Sequence, residues 1–301
     1  MADRVNTEGL RYAQAVAETK SFSAAARAYG VTQPALSNGI AKLEERLGEK
    51  LFDRSPRGVT PTAFGDRILP LIERAVSALD AVAAEAKRLT GPGEHKIRLG
   101  VSPLISPPLV ARMFGMVREL PEPRGLVLRE ANMQELRADL VAGRLDIILI
   151  PAVAAMPRFE HRVVDVEPIV VVTPDADAAD SGTPGDAAPL ELEEAGKGRF
   201  ILVPDTCGLT TFTTQLFQAR EMPLRTYPGE AAGYQVLEEW TKLGLGSAMV
   251  PRSKLSSPDV PHRPLTDEGR EVQISFEAVW SMDSPLSADL LRLADNLAAA
   301  R

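Results

Sequence analysis

Cysteine occurs once in the 301 residues, at Cys207, so neither an intrachain disulfide nor a multi-cysteine zinc site can form. Histidine is almost as scarce. His95, His161 and His262 stand far apart, with no i+4 mate and no carboxylate partner evident, and read as structural or exposed positions rather than metal ligands. Aromatic residues are only 5% of the chain, and the eight methionines follow no spacing suggestive of a sensor. No run of 18 apolar residues occurs, which excludes a membrane-spanning helix on hydropathy. The opening Met1-Ala2-Asp3-Arg4 starts no apolar secretory segment, so the expected location is cytoplasmic. Catalytic signatures are missing too: no phosphate loop, no strand-linked G-x-G-x-x-G, no G-x-S-x-G elbow and no H-E-x-x-H helix. Gly244-Leu245-Gly246 is too short for a nucleotide loop and follows a helix, so it reads as a turn.

What is present is an ordinary globular balance, 45% apolar and 25% charged, over a length that suits two domains. The net charge of −7 is unevenly spread. Residues 1–90 hold thirteen basic against eleven acidic side chains, leaving 21 basic and 30 acidic for the remainder. Phosphate attraction depends on local positive surface, so any nucleic-acid contact is expected in the first 90 residues.

Helical spacing of Leu10, Ala13, Val16 and Ala17 predicts a first helix over Thr7–Thr19. Ser21 offers a cap for a short helix ending at Gly30, and Thr32 caps a third, with Pro34 in its first turn and a stop at Gly48. Two helices joined by a tight Gly-containing turn are the sequence form of a helix-turn-helix. Extended runs at Lys50–Arg54 and Val59–Pro61 predict a β-wing carrying Arg54 and Arg57. Thr62 then caps a long helix whose apolar residues are Phe64, Ile68, Leu71, Ile72, Ala75, Leu79, Val82, Ala86 and Leu89. Steps of three and four over that length suit a coiled-coil seam, hence a homodimer. The expected boundaries are 1–62 for the DNA-binding domain, 63–90 for the linker helix and 91–94 for a Gly-Pro-Gly hinge.

From His95 onward strands and amphipathic helices alternate, which argues for an α/β domain, 95–301, with mainly parallel sheets. Expected strands are Ile97–Val101, Leu126–Arg129, Asp146–Ile150, Pro168–Thr173, Arg199–Val203, Arg225–Tyr227, Ser247–Val250 and Val272–Ser281. A polar insert at Asp175–Ala188 reads as a surface loop.

Ser21-Phe22-Ser23-Ala24-Ala25-Ala26, Val31-Thr32-Gln33-Pro34-Ala35-Leu36-Ser37, Ile40, Leu43-Glu44, Leu47-Gly48, Leu51-Phe52-Asp53-Arg54 and Thr60-Pro61-Thr62 occur at fixed offsets. In this run the chain resembles the LysR-type transcriptional regulators. Weaker likenesses extend further, at Ile97–Gly100, at Leu140–Asp146 and from Leu243 to Pro251. The resemblance implies an all-α winged helix-turn-helix and a dimerising linker helix. It also implies an effector domain of periplasmic-binding-protein type with two α/β subdomains, about 95–166 with 270–301, and about 167–269. The implied partners are double-stranded promoter DNA, a small-molecule effector, further copies of the chain up to a homotetramer, and RNA polymerase. No membrane and no resident cofactor are implied.

A recognition helix presents its N-terminal residues to the major groove, so Thr32, Gln33, Pro34 and Ser37 are the candidate readers. Gln pairs bidentately with adenine, and a Pro ring or Thr methyl touches thymine. Thr32 and Pro34 also have the simpler roles of cap and helix starter. Asn38 and Gly39 stand where members of the resembled family often carry a basic residue and Gln, and Gly39 inside a helix costs about 1 kcal/mol relative to Ala. Arg54, Arg57 and Lys42 are the candidate phosphate or minor-groove contacts.

In open α/β domains ligands gather at the carboxyl ends of strands and at helix N-termini. Those positions hold Ser102, Leu104, Asn132, Met133, Thr206, Cys207 and Gly208. The resembled family often has Ser or Thr where Leu104 and Met133 align, so two apolar residues there suggest a less anionic or bulkier effector. A shift of one or two residues brings Asn132 and Ser102 into those roles, and core packing of Leu104 and Met133 is the plainer alternative. Cys207 at a helix start offers a redox-sensing alternative, weakened by the lack of a second cysteine. Two further alternatives of other classes are an enzyme, and a solute-binding protein whose helix-turn-helix is vestigial.

Overall fold

Local start and stop signals set the first three helices. In α1 (Thr7–Thr19) the Asn6 side chain accepts from Gly9 N at 3.1 Å, and Lys20 ends the helix with φ 50°. Ser21 caps α2 (Phe22–Ala28) through Ala24 N, 3.3 Å. Thr32 caps α3 (Gln33–Leu47) through Ala35 N, 3.4 Å, and Gly48, at φ +83°, stops it in a left-handed conformation that favours glycine. The computed structural model describes residues 6–55, 58–90, 96–174, 188–204 and 207–300. The hinge at 91–94 and most of the polar insert, 175–187, lie outside these. Two units result, one built on Met1–Gly91 and the other on Pro92–Leu140 with Arg144–Arg301.

In the first unit Tyr12, Val16, Phe22, Leu36, Ile40, Leu43 and Leu51 form a core closed by Ile72 and Val76. Each such aliphatic side chain, fully buried, contributes about 1.5–3 kcal/mol. Gly39 has a packing reason: a Cβ there would come within 2.7 Å of the Tyr12 ring, so α1 crosses α3 where the side chain is missing. The wing pairs β1 (Phe52–Ser55) with β2 (Gly58–Pro61) antiparallel, Phe52 opposite Pro61 and Ser55 opposite Gly58. The Glu44 carboxylate accepts from Leu51 N at 2.8 Å and so ties the end of α3 to the start of the wing. Thr62 starts α4 (Ala63–Thr90), accepting from Gly65 N at 2.9 Å while donating to the Lys50 carbonyl at 2.6 Å. The expected seam on α4 divides in two. Ile72 packs into the intrachain core with Val76, while Leu71, Leu79 and Val82 stay exposed.

The second unit opens with β3 (Lys96–Val101), α5 (Pro107–Arg118), β4 (Gly125–Glu130), α6 (Met133–Val141) and β5 (Ile147–Pro151). Strand β3 lies parallel to both β4 and β5. The long β6 (Glu160–Val172) follows, then β7 (Leu190–Glu191), α7 (Leu192–Ala195), β8 (Phe200–Leu202) and α8 (Leu209–Ala219). After these come β9 (Thr226–Glu230), α9 (Tyr234–Lys242), β10 (Ala248–Pro251), β11 (Arg263–Asp267), β12 (Arg270–Glu271), β13 (Gln273–Trp280) and α10 (Ser287–Ala299).

The main sheet runs β12-β11-β6-β13-β5-β3-β4, with β10 also on β6 and β7 on β11. The expectation of mainly parallel sheets needs correcting. Strands β6 and β13 pair antiparallel from Pro168–Gln273 to Glu160–Trp280, and β10 and β11 run antiparallel to β6. The cause is topological. Along β6 the chain leaves one lobe, where it pairs with β13, and enters the other, where it pairs with β10 and β11; β13 brings it back. The first half of β6, Glu-His-Arg-Val-Val-Asp-Val-Glu, is half-exposed and polar, so periodicity gave only its apolar second half. Parallel β8 and β9 complete the second lobe. No helix among the described residues is long and apolar enough to cross a membrane.

Candidate functional site

The helix-turn-helix divides α3 into two edges. Leu36, Ile40 and Leu43 are fully buried, while Thr32, Gln33, Pro34, Asn38 and Lys42 are exposed and Ser37 is half-buried. Pro34, Asn38 and Lys42 recur every fourth residue and so share one stripe. The Thr32 hydroxyl is the cap described above. Gln33 is held at a defined angle, its Oε1 accepting from the Ser23 hydroxyl of α2 at 2.8 Å. A carboxamide oxygen has a second lone pair, and the amide N–H groups remain donors, so this bond leaves adenine pairing open. Arg54 lies on β1 opposite Val59. The Arg54 side chain and the whole of Arg57 lie outside the described residues.

The proposed ligand residues separate into two groups. Ser102, only 1% exposed, follows β3, where its Oγ donates to the Cys207 carbonyl at 3.0 Å and accepts from Leu104 N at 3.2 Å. Gly208 adjoins Cys207 at φ +92°, and a Cβ on it would lie 2.6 Å from Pro151 Cγ. Ser102, Cys207 and Gly208 therefore meet where the end of β3, the end of β5 and the start of α8 converge. Thr206 lies outside the described residues.

Leu104, Asn132 and Met133 are otherwise engaged. Leu104 is fully buried in the main apolar core, and Met133 packs with Leu136, Leu140 and Met156 in a smaller cluster. Asn132 caps α6, accepting from Glu135 N at 2.8 Å and donating to the Glu135 carboxylate at 2.7 Å. The inference of an apolar effector from Leu104 and Met133 thus loses its footing, because both side chains serve packing. Cys207 is 4% exposed, and its thiol is close to the buried Tyr234 hydroxyl. Burial, and then that neighbour, push the Tyr234 phenol well above its ordinary range.

Two residues missing from the sequence reading belong here. Lys254, in the short 3-10 turn Arg252–Lys254 after β10, donates from Nζ to the Ile105 carbonyl at 2.7 Å and lies 5.7 Å from the Tyr234 ring centroid. Nothing local in the sequence marks either residue, since the contact joins positions 149 apart. His161 also departs from expectation. Its Nδ1 lies 2.9 Å from the buried Glu277 carboxylate on the adjacent strand, a partner 116 residues away.

A winged helix-turn-helix with a polar outer edge, on one chain with a two-lobed α/β unit, defines a DNA-binding regulator with a ligand-binding domain. Residues 7–66 match the bacterial regulatory helix-turn-helix proteins of the lysR family, and residues 90–301 match the LysR substrate binding domain. The chain belongs to the LysR family of transcriptional regulators. It is 31% identical over 298 residues to the HTH-type transcriptional regulator IlvR of Caulobacter vibrioides, covering 94% of this chain and 95% of that one. A probable hydrogen peroxide-inducible genes activator of Streptomyces viridosporus is 33% identical over 166 residues, and the match spans 53% of each protein. The solved structure of CbnR, a LysR family transcriptional regulator, superposes with a TM-score of 0.60 at 19% identity, over 97% of this chain and 99% of that one.

Proposed function

We propose that α3 reads operator bases through Gln33, with Thr32, Pro34 and Ser37 beside it. Lys42, Asn38 and the wing arginines Arg54 and Arg57 position the phosphates, and a small effector held near Ser102, Cys207 and Gly208 sets the output. The observation that carries this reading is the two-edged α3, whose outer edge is polar and exposed while its inner edge is buried without gaps. Support for self-association comes from α4, which leaves Leu71, Leu79 and Val82 exposed at steps suited to a helix partner. A homodimer through α4, assembled further into a tetramer, covers that stripe. The reading has the protein acting in the cytoplasm as a regulator and not as an enzyme. Redox sensing through Cys207 has little support, because a sensor thiol needs access to oxidant and a resolving partner, and this one is 4% exposed and alone.

The test is a mobility shift on the chain's own upstream DNA with wild type and Gln33→Ala. Loss of a bidentate base contact costs about 1–3 kcal/mol of discrimination. Gln33→Ala is expected to weaken operator binding by about tenfold or more while leaving random DNA nearly unchanged. Equal losses on both sequences remove Gln33 from base reading, and no shift on any promoter fragment at low salt removes the whole interpretation.

A further inference from the structure

Gln33 is the first residue of α3 and Ser23 the second of α2. The Ser23 hydroxyl donates to Gln33 Oε1 at 2.8 Å, joining two side chains that both stand at the surface. Such a bond adds little to stability, since water competes for both groups. The backbone nonetheless restrains it at each end. Ser21 caps α2, whose inner side buries Phe22, Ala25 and Ala26, and Val31 N donates to the Ala26 carbonyl at 3.0 Å across the turn. Beyond the turn Thr32 caps α3, Pro34 fixes φ in the first turn and Leu36 is fully buried. The helix-turn-helix core therefore sets the distance between Ser23 and Gln33, and the hydroxyl is held where the carboxamide can use it.

A free glutamine side chain samples several rotamers, and its last torsion is broad and roughly two-fold. Adenine offers an N6–H donor and an N7 acceptor in fixed order, so only one placement of the carboxamide meets both. Ordering a rotamer-rich side chain at that moment weakens the complex. A hydrogen bond made beforehand removes part of that loss, and it leaves Oε1 a second lone pair and both N–H donors for the base. We infer that Ser23 is the positioning residue for base reading by Gln33, so that part of the operator selectivity resides in α2. This rests on the reading of Gln33 as a base reader and adds to it. Two other roles would leave different marks. A hydroxyl bound to phosphate would act on every sequence alike, and one serving only the fold would act on the melting temperature.

The experiment compares full-length wild type, Ser23→Ala, Gln33→Ala and the double variant on the chain's own upstream DNA and on a random duplex of equal length. Operator preference is the ratio of the two affinities, measured by mobility shift at several salt concentrations. Ser23→Ala is expected to lower that preference about threefold or more. Affinity for random DNA and the slope of log K against log salt are expected to hold. In the Gln33→Ala background the same change is expected to alter the preference by less than about twofold, because the group it positions is gone. Ser23→Thr keeps the hydroxyl and is expected to stay within about twofold of wild type. Since Ser23 is exposed, Ser23→Ala is expected to leave the first unit's melting temperature within a few degrees of wild type. A loss that persists in full without Gln33 overturns the positioning role. So does a loss shared by random DNA with a shallower salt slope, a Thr variant as poor as the Ala variant, or no loss in Ser23→Ala. Gln33→Ala alone tells this failure from the other. When it lowers the preference and Ser23→Ala does not, the base reader stands without its positioning residue. When it leaves the preference unchanged, both readings fall.

Discussion

The groups proposed to meet DNA all belong to one helix and the wing that follows it, within the first unit. The groups that meet around Cys207 come from the ends of β3 and β5, the start of α8, the first turn of α9 and the turn after β10. That difference separates two ways of building function. The first unit exposes a row of side chains whose spacing is set by a single helical period, and its core needs only to hold that helix still. The second makes its site by bringing two lobes together, so its chemistry depends on how well the sheet positions distant residues.

The comparison can be broken most severely in the first unit's core. Leu43 is fully buried between α1 and α3. Leu43→Ala is expected to cost about 4 kcal/mol and to abolish operator binding at ordinary temperatures. If the two units are separate cooperative bodies, calorimetry will show the first melting early while the second keeps its own transition. A single concerted transition moving down as a whole would remove that independence.

Asp146 provides the converse experiment, with a somewhat smaller effect. Its carboxylate is 8% exposed and accepts from Arg98 N at 2.7 Å, Arg98 Nε at 3.0 Å and Arg98 Nη2 at 2.6 Å, joining the start of β5 to β3. Removing one partner of such a pair leaves three donors unanswered, and Asp146→Ala is expected to cost about 3 kcal/mol. The value sits at the low end for a buried pair because Arg98 keeps some access to water. The second unit's melting point should fall while DNA affinity, measured below that transition, holds. Equal loss of DNA binding would show that the two regions share their stability.

These contrasts explain why the sequence was informative throughout one region and only in part of the other. Caps at Ser21, Thr32 and Thr62 and stops at Gly30 and Gly48 are local signals, so the helices of the first unit could be written down residue by residue. Strand β11 and the polar half of β6 were not legible, since Arg263–Asp267 and Glu160–Glu167 carry no apolar period and owe their conformation to pairing with distant strands. At Asn132 and Met133 a strand-end position does not reveal whether a side chain faces a cleft or the helix it begins, and here Asn132 caps α6 while Met133 packs beneath it. Lys254 and Tyr234 gave no signal at all, their significance lying in a contact between lobes.

The remaining ways to sharpen the comparison have modest effects. Lys42, exposed on the outer stripe of α3, is expected to touch phosphate and carry no sequence information. Lys42→Ala should lower affinity on cognate and random DNA alike and make the slope of log K against log salt shallower by about one. Arg54→Ala on the wing should do the same. An unchanged slope in either variant would remove that residue from the phosphate contacts.

The smallest effect belongs to His161, and its sign follows from its surroundings. Burial works against charging the ring. The hydrogen bond to Glu277, the backbone of Met156 and the charges of Glu277 and Glu160 outweigh this, so the pKa is raised above 6.5. A base whose pKa is higher folded than unfolded contributes stability that is fully present below the unfolded value. That contribution is lost as pH rises through the raised folded value. The second unit is therefore expected to melt slightly higher at about pH 5.5 than at about pH 8.5 relative to a His161→Gln variant, with solvent screening keeping the difference small. The first unit has no histidine among its residues, so its transition should show no such difference between the two proteins. A pH-dependent difference of equal size in both transitions would mean that the charge at His161 is felt across the whole chain, and the separation drawn between the two units would then fail at its weakest-loaded point.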